Sequence, residues 1–132
     1  MQLEYFDDPS IARPVLLTYS KDPSDAAALQ RALAPLVAGD TDRQVQIDKL
    51  PGFRGIDGCS LIAQVASSNL GVTRTIDNEP SFSCALNPTT WSQVSGLLEP
   101  FTQARAPRAP DVHQYLASDG PIDWIVATSR HW

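Results

Sequence analysis

Two dipeptides in which an aspartate or asparagine precedes proline divide this chain more sharply than any other feature. Asp22-Pro23 and Asn87-Pro88 each place a capping side chain before a proline, which favours a helix that begins at the proline. Apolar residues then recur at helical spacing, at Leu29, Ala32, Leu33, Leu36 and Val37 and at Trp91, Val94, Leu98 and Phe101. The pattern predicts two amphipathic helices, the first bent or ended early by Pro35.

The segments outside these helices are short and mostly alternate between apolar and polar residues, which is typical of half-buried strands. One such segment precedes the first helix, four lie between the helices, and two follow the second and form a closing hairpin. This order segregates the helices from the strands. It predicts a single α+β domain over residues 1–132, with a mainly antiparallel sheet of about six to seven strands arranged as a meander.

Charge and composition limit the classes of partner. The net charge of −5 and the pI near 4.7 argue against binding to nucleic acid or to an anionic membrane surface, and they favour a basic protein partner. No apolar run approaches the roughly 20 residues that span a bilayer, and residues 1–9 lack the pattern of a secretory signal. Together with two cysteines, Cys59 and Cys84, expected to remain free thiols, this predicts a cytoplasmic protein.

The sequence contains no pattern typical of a cofactor, metal or catalytic site. The glycines between Gly52 and Gly58 are not followed by a helix or by the lysine of a phosphate-binding loop. Asp40-Thr41-Asp42 lacks the glycine and glutamate of a calcium loop and is better explained as a turn. We therefore expect no cofactor and no metal, and we favour a non-catalytic protein.

An acidic surface with a few exposed aromatic residues is typical of a module that binds a basic protein, since carboxylates speed encounter and aromatics supply affinity. Trp132 would either fold back as a plug or stand exposed as a contact anchor. The predicted partner-binding residues are Asp40, Asp42, Asp48, Phe53, Asp57, Asp77, Glu79 and Trp132.

In outline the chain resembles the immunity proteins of bacterial polymorphic toxin systems. The resemblance covers its size, its acidity, the Trp91 helix running to Leu98-Glu99-Pro100-Phe101, and the closing strands with His113-Gln114-Tyr115-Leu116 and Trp124-Ile125-Val126. It implies a cytoplasmic antitoxin that blocks the active site of a toxin enzyme by stoichiometric binding.

Two other hypotheses remain open. A small enzyme or small-molecule binder would require Arg54, Asp57, His113 and Tyr115 to converge in one concave site beside the glycine-rich loop. An assembly subunit would instead present an open sheet edge, such as a strand over residues 122–128, and form a symmetric dimer through it. The chain would accordingly be a monomer or a homodimer.

Overall fold

The computed structural model describes residues 1–132 and contains two mixed β-sheets and two α-helices. The helices are α1 (Pro23–Val37) and α2 (Pro88–Leu98). The strands are β1 (Gln2–Phe6), β2 (Val15–Tyr19), β3 (Gln44–Gln46), β4 (Arg54–Gly55), β5 (Ser60–Val65), β6 (Gly71–Arg74), β7 (Ser81–Leu86), β8 (His113–Ala117) and β9 (Asp123–Ala127). The five-stranded sheet has the order β4-β1-β2-β9-β8 and the four-stranded sheet the order β3-β5-β7-β6.

Both helices begin where the sequence predicts. The Asp22 carboxylate accepts a hydrogen bond from the Ser24 amide at 2.9 Å, and the Asn87 side chain accepts one from the Thr90 amide at 2.8 Å. Pro35 does not end α1 early, because it lies in the last turn, where the loss of one backbone hydrogen bond is tolerated. Neither helix has the length and apolar character needed to cross a membrane.

The α+β class is confirmed, but the predicted antiparallel meander is wrong. β5 and β7 are parallel neighbours, and β6 lies on the far side of β7 instead of between them. β2 and β9 are also parallel, as are β1 and the two-residue β4, neither of which the sequence predicted as a strand. The closing hairpin of β8 and β9 is confirmed. Alternation marks each strand, whereas the order of neighbours depends on contacts distant in sequence.

The main hydrophobic core is a cluster of 24 buried residues drawn from both sheets and both helices. Trp91 of α2 and Trp124 of β9 meet there edge to face, with ring centroids 6.3 Å apart. The Trp91 indole nitrogen donates a hydrogen bond to the Gln64 carbonyl at 3.0 Å. Packing in the core, the expected role of both tryptophans, is therefore confirmed.

The two cysteines are free and buried. Cys84 lies opposite Ala63 in the β5–β7 ladder, whereas Cys59 precedes the first residue of β5. Four residues of strand therefore separate them along the sheet, roughly 13 Å, which is too far for a disulfide.

The five-stranded sheet is also covered on its opposite side. Val15, Leu17, Ile125 and Ala127 form a second, smaller buried cluster there, beneath Phe6, Ile11 and Tyr19. We call this opposite side the outer side, since it faces away from the helices and the main core. Residues along β2 and β9 alternate between the two sides of the sheet, since neighbouring residues such as Leu16 and Trp124 belong to the main core.

Candidate functional site

Part of the predicted acidic contact set does come together, at the end of the four-stranded sheet where β5 begins. The Asp48 carboxylate accepts the Leu61 amide at 3.1 Å, and the turn containing Asp77 and Glu79 leads into β7 beside Ser60. Asp48 and Phe53 line one open hollow of about 450 Å³, whose wall includes Gly58 next to Asp57. Lys49 and Arg54 line the same hollow, so it is not uniformly acidic.

Asp40 and Asp42 lie elsewhere. They occupy the turn between α1 and β3, where the Asp42 amide donates to the Asp40 carboxylate at 3.1 Å. This turn leads into Gln44, which pairs with Gln64 near the far end of β5. Trp132 lies on the outer side of the other sheet. The eight predicted residues thus fall on three separate parts of the surface.

The four residues required by the small-molecule hypothesis do not converge. Arg54 is on β4 and both His113 and Tyr115 are on β8, at opposite edges of the five-stranded sheet. Four inter-strand spacings separate these edges, which is roughly 19 Å. Nor are any three His, Cys, Asp or Glu side chains grouped so that they would hold a metal ion.

The largest concentration of accessible aromatic side chains is on the outer side of the five-stranded sheet. Tyr115 and Trp132 are 45% and 37% exposed, and Phe6 and Tyr19 beside them are partly buried. We call this surface, formed by Phe6, Tyr19, Tyr115 and Trp132, the aromatic face. Large side chains that combine an apolar body with limited rotamer freedom are typical of protein-binding surfaces.

Trp132 is held in place by a chain of contacts across the aromatic face. Its ring packs on Phe6 with centroids 5.0 Å apart. The Arg130 guanidinium lies over the Phe6 ring, 5.2 Å from its centroid. Arg130 in turn makes a two-pronged ion pair with Glu4, at 3.0 and 2.9 Å, and Glu4 also accepts from the Tyr19 hydroxyl at 3.0 Å. Trp132 therefore both folds back and remains accessible.

The ionisation of these groups follows from the contacts. Hydrogen bonds from Arg130, opposed by partial burial, lower the pKa of Glu4, and the same carboxylate raises the pKa of Arg130. Partial burial and the bond to Glu4 raise the pKa of Tyr19. At neutral pH the Glu4–Arg130 pair is thus fully charged and compensated, and Tyr19 is a neutral donor.

Two hollows flank Trp132. One of about 210 Å³ lies between Trp132 and Tyr115, with Ile11 and Val15 in its wall. The other, of about 430 Å³, is lined by Phe6, Ile11 and the three residues from Arg130 to Trp132. Both are open to solvent, so they would receive side chains of a partner surface more readily than they would enclose a small molecule.

The border of the aromatic face is acidic. Asp123 is paired with Arg13 at 3.3 Å and Glu4 with Arg130, so these two carboxylates are compensated. Asp7, Asp8 and Asp119 are exposed and have no cation within ion-pair distance. All three lie at the end of the sheet where β2 and β9 begin, because Phe6 pairs with Val15 and Arg13 binds the Gly120 carbonyl.

Sequence reasoning selected Trp132 and, for a different purpose, Tyr115, but it missed Phe6 and Ile11. The signal that could have found Phe6 is the alternation in β1. Leu3 and Tyr5 alternate with Glu4 and Phe6, and only Leu3 and Tyr5 contact the main core. An aromatic residue on the polar side of a strand indicates a contact surface. The sequence did not predict this strand, because acidic residues follow it directly.

Comparison of the chain with models of protein families, with curated proteins and with solved structures finds no significant match. The resemblance to immunity proteins stays a prediction.

Proposed function

We propose that this protein is a binding module for a basic protein partner and that the partner docks on the aromatic face. The observation that carries the proposal is Trp132, an accessible tryptophan packed against Phe6, whose ring also lies under the Arg130 guanidinium. An aromatic anchor that is already ordered loses little conformational entropy on binding, so more of its contact energy contributes to affinity.

Electrostatics supports a basic partner. The chain has a net charge of −5, and the uncompensated carboxylates Asp7, Asp8 and Asp119 border the face on which the aromatic anchors are exposed. Charges at the rim of an interface mainly raise the association rate, whereas buried aromatic anchors at its centre slow dissociation. The two sets therefore have separate kinetic signatures.

Within this class, we propose an inhibitor of the immunity type, which neutralises a toxin enzyme by covering its active site. The support is the resemblance to such proteins that the small size and acidity of the chain suggest in outline. Enzymes that act on nucleic acid carry basic active-site surfaces to which an acidic, aromatic face is complementary.

Affinity capture from the source cells, followed by mass spectrometry, tests the binding function. The variants are Tyr115→Ala with Trp132→Ala on the aromatic face, and Asp40→Asn with Asp42→Asn at the remote turn as a control. We expect wild type and the control to retain one basic protein in near-equal amount. We expect the aromatic-face variant to lose it, with an affinity at least roughly 30-fold lower.

Three outcomes contradict parts of this proposal. Retention of no specific protein by wild type overturns the binding function. Loss of the partner only in the Asp40 and Asp42 variant moves the interface to the remote turn. If the purified partner keeps its enzymatic activity and toxicity when saturated with wild type, the protein is a binding module but not an inhibitor.

A further inference from the structure

The outermost strand of the five-stranded sheet, β8, has one unpaired edge. β8 pairs only with β9, so the third hypothesis is wrong about which strand would be exposed: the strand over residues 123–127 is internal, between β2 and β8. β8 is also the longest strand at a sheet edge. β3 and β4 have three and two residues, and β6 meets Ile122 through a bridge from Val72.

The ladder shows which groups of β8 point away from the sheet. The Thr128 amide donates to the Val112 carbonyl, so Val112 and Thr128 form a hydrogen-bonded pair, and Gln114 with Val126 is the next such pair. The alternate residues, His113 and Tyr115, therefore direct their backbone N–H and C=O groups outward. The Ser20 amide donates to the Ala127 carbonyl from the β2 side. This carbonyl therefore points away from β8, as the alternation requires.

Most of these outward groups have no partner in the protein. The Tyr115 carbonyl accepts a bond from the Gln114 side chain at 3.2 Å, whereas the His113 N–H, the His113 C=O and the Tyr115 N–H make none. Exposed edges of this kind are templates for an additional strand. The irregularity between Tyr115 and Ala117 ends regular pairing, which limits the open edge to residues 112–115.

We propose that the partner contributes an extended basic segment that pairs with β8 as a sixth strand. The inference rests on the proposed function, because the side chains of His113 and Tyr115 lie on the aromatic face and join the edge to it. An added strand would place alternate side chains next to them. Backbone bonds at the edge and aromatic contacts on the face would then form one continuous interface.

Charge selects the occupant. Asp111 and Asp119 flank β8, both exposed and without a cation in ion-pair distance. A second copy would bring its own Asp111 and Asp119, and the same net charge of −5, to this edge, which is unfavourable. A segment with arginine or lysine at both ends would instead be attracted to the same two carboxylates.

The test uses the whole protein with a short synthetic peptide of alternating arginine and valine with blocked termini. Its counterpart with glutamate for arginine is the control. We expect saturable shifts of the His113 and Tyr115 backbone amides in nuclear magnetic resonance spectra, and slower hydrogen exchange at both. Shifts confined to other residues, or equal binding of the acidic peptide, would overturn the proposal.

A matched pair of variants separates the backbone from the side chain. His113→Pro removes an outward N–H that β9 does not use, whereas His113→Ala removes only the imidazole. We expect roughly tenfold weaker peptide binding for the proline variant and little change for the alanine variant. Equal affinities would overturn pairing at this edge. If His113→Pro fails to fold, the exchange rates of the wild-type amides still decide the question.

Failure of this inference is distinct from failure of the proposed function. If the captured partner is lost with the Tyr115 and Trp132 variant but kept with His113→Pro, the aromatic face binds it and β8 does not. A wild-type dimer in sedimentation experiments that His113→Pro dissociates would show that a second copy occupies the edge, which also overturns the proposal.

Discussion

Gly71 and Gly120 approach each other so closely that neither position has room for a side chain. A Cβ atom on Gly71 would lie 2.2 Å from the Gly120 backbone nitrogen, and one on Gly120 would lie 2.7 Å from the carbonyl oxygens of Leu70 and Val72. Gly71 also has a positive φ of 71°. The contact lies next to the bridge between Val72 and Ile122, where the two sheets meet.

Replacing either glycine with alanine should therefore destabilise the fold strongly. Gly71→Ala combines backbone strain with a clash against backbone atoms, and we expect the free energy of unfolding to fall by at least about 2 kcal/mol. Gly120→Ala meets the same obstacle from the other side. Urea denaturation monitored by circular dichroism measures both changes.

Gly96 provides the matched control. It lies inside α2, and a Cβ atom there meets nothing within 4 Å. Since alanine favours a helix over glycine, Gly96→Ala should raise the stability by about 0.5–1 kcal/mol. Similar effects of all three substitutions would contradict a specific contact between the sheets.

The Asn87 cap of α2 yields a second prediction. Asn87→Ala leaves the Thr90 amide without its partner and should lower the stability by about 1 kcal/mol. Serine is also a good capping residue, so Asn87→Ser should stay within a few tenths of a kcal/mol of wild type, as measured by thermal unfolding. Equal losses in both variants would indicate that another contact of Asn87 matters more.

The thiols should be unreactive in the folded state. Burial, with smaller contributions from Asp48 and Glu4, raises the pKa of Cys59 to about 12, and burial raises the pKa of Cys84 as well. Because the thiolate is the reactive form, a thiol reagent at mildly alkaline pH should modify neither residue quickly, and both once denaturant is added. Rapid modification of the native protein would contradict this burial.

The Glu4–Arg130 pair predicts an acid-sensitive contribution to stability. The pKa of Glu4 is lower in the folded than in the unfolded chain, so its contribution is fully present above the unfolded value and is lost as pH falls through the folded value. Glu4→Gln should be less stable than wild type at neutral pH, and the difference should shrink in acid. Thermal unfolding against pH measures it, and a difference independent of pH would contradict the assignment.

Disruption of the same pair should also release Trp132. Arg130→Met keeps a long side chain but removes the charge, so Phe6, on which Trp132 packs, loses the guanidinium that covers it. We expect the Trp132 side chain to become more mobile on the nanosecond timescale, measured by relaxation of its indole N–H. Unchanged relaxation would show that the Phe6 contact alone holds the ring.

The sequence by itself determined both helices, most of the strands and the packing role of Trp91 and Trp124, because these depend on local interactions. Caps, proline positions and the spacing of apolar residues act within a few positions along the chain, and they are visible without a structure. The free state of Cys59 and Cys84 was also expected, because a core of this size does not require a disulfide.

Only the tertiary structure decided which strands are neighbours. Alternation in β5, β6 and β7 marks the buried side of each strand, but the parallel pairing of β5 with β7 depends on contacts between residues distant in sequence. The aromatic face depends on the same kind of contact: Phe6, Tyr115 and Trp132 meet only because β1, β2, β9 and β8 lie side by side. A one-dimensional pattern records which residues are apolar, and the pairing of distant strands determines which of them share a surface.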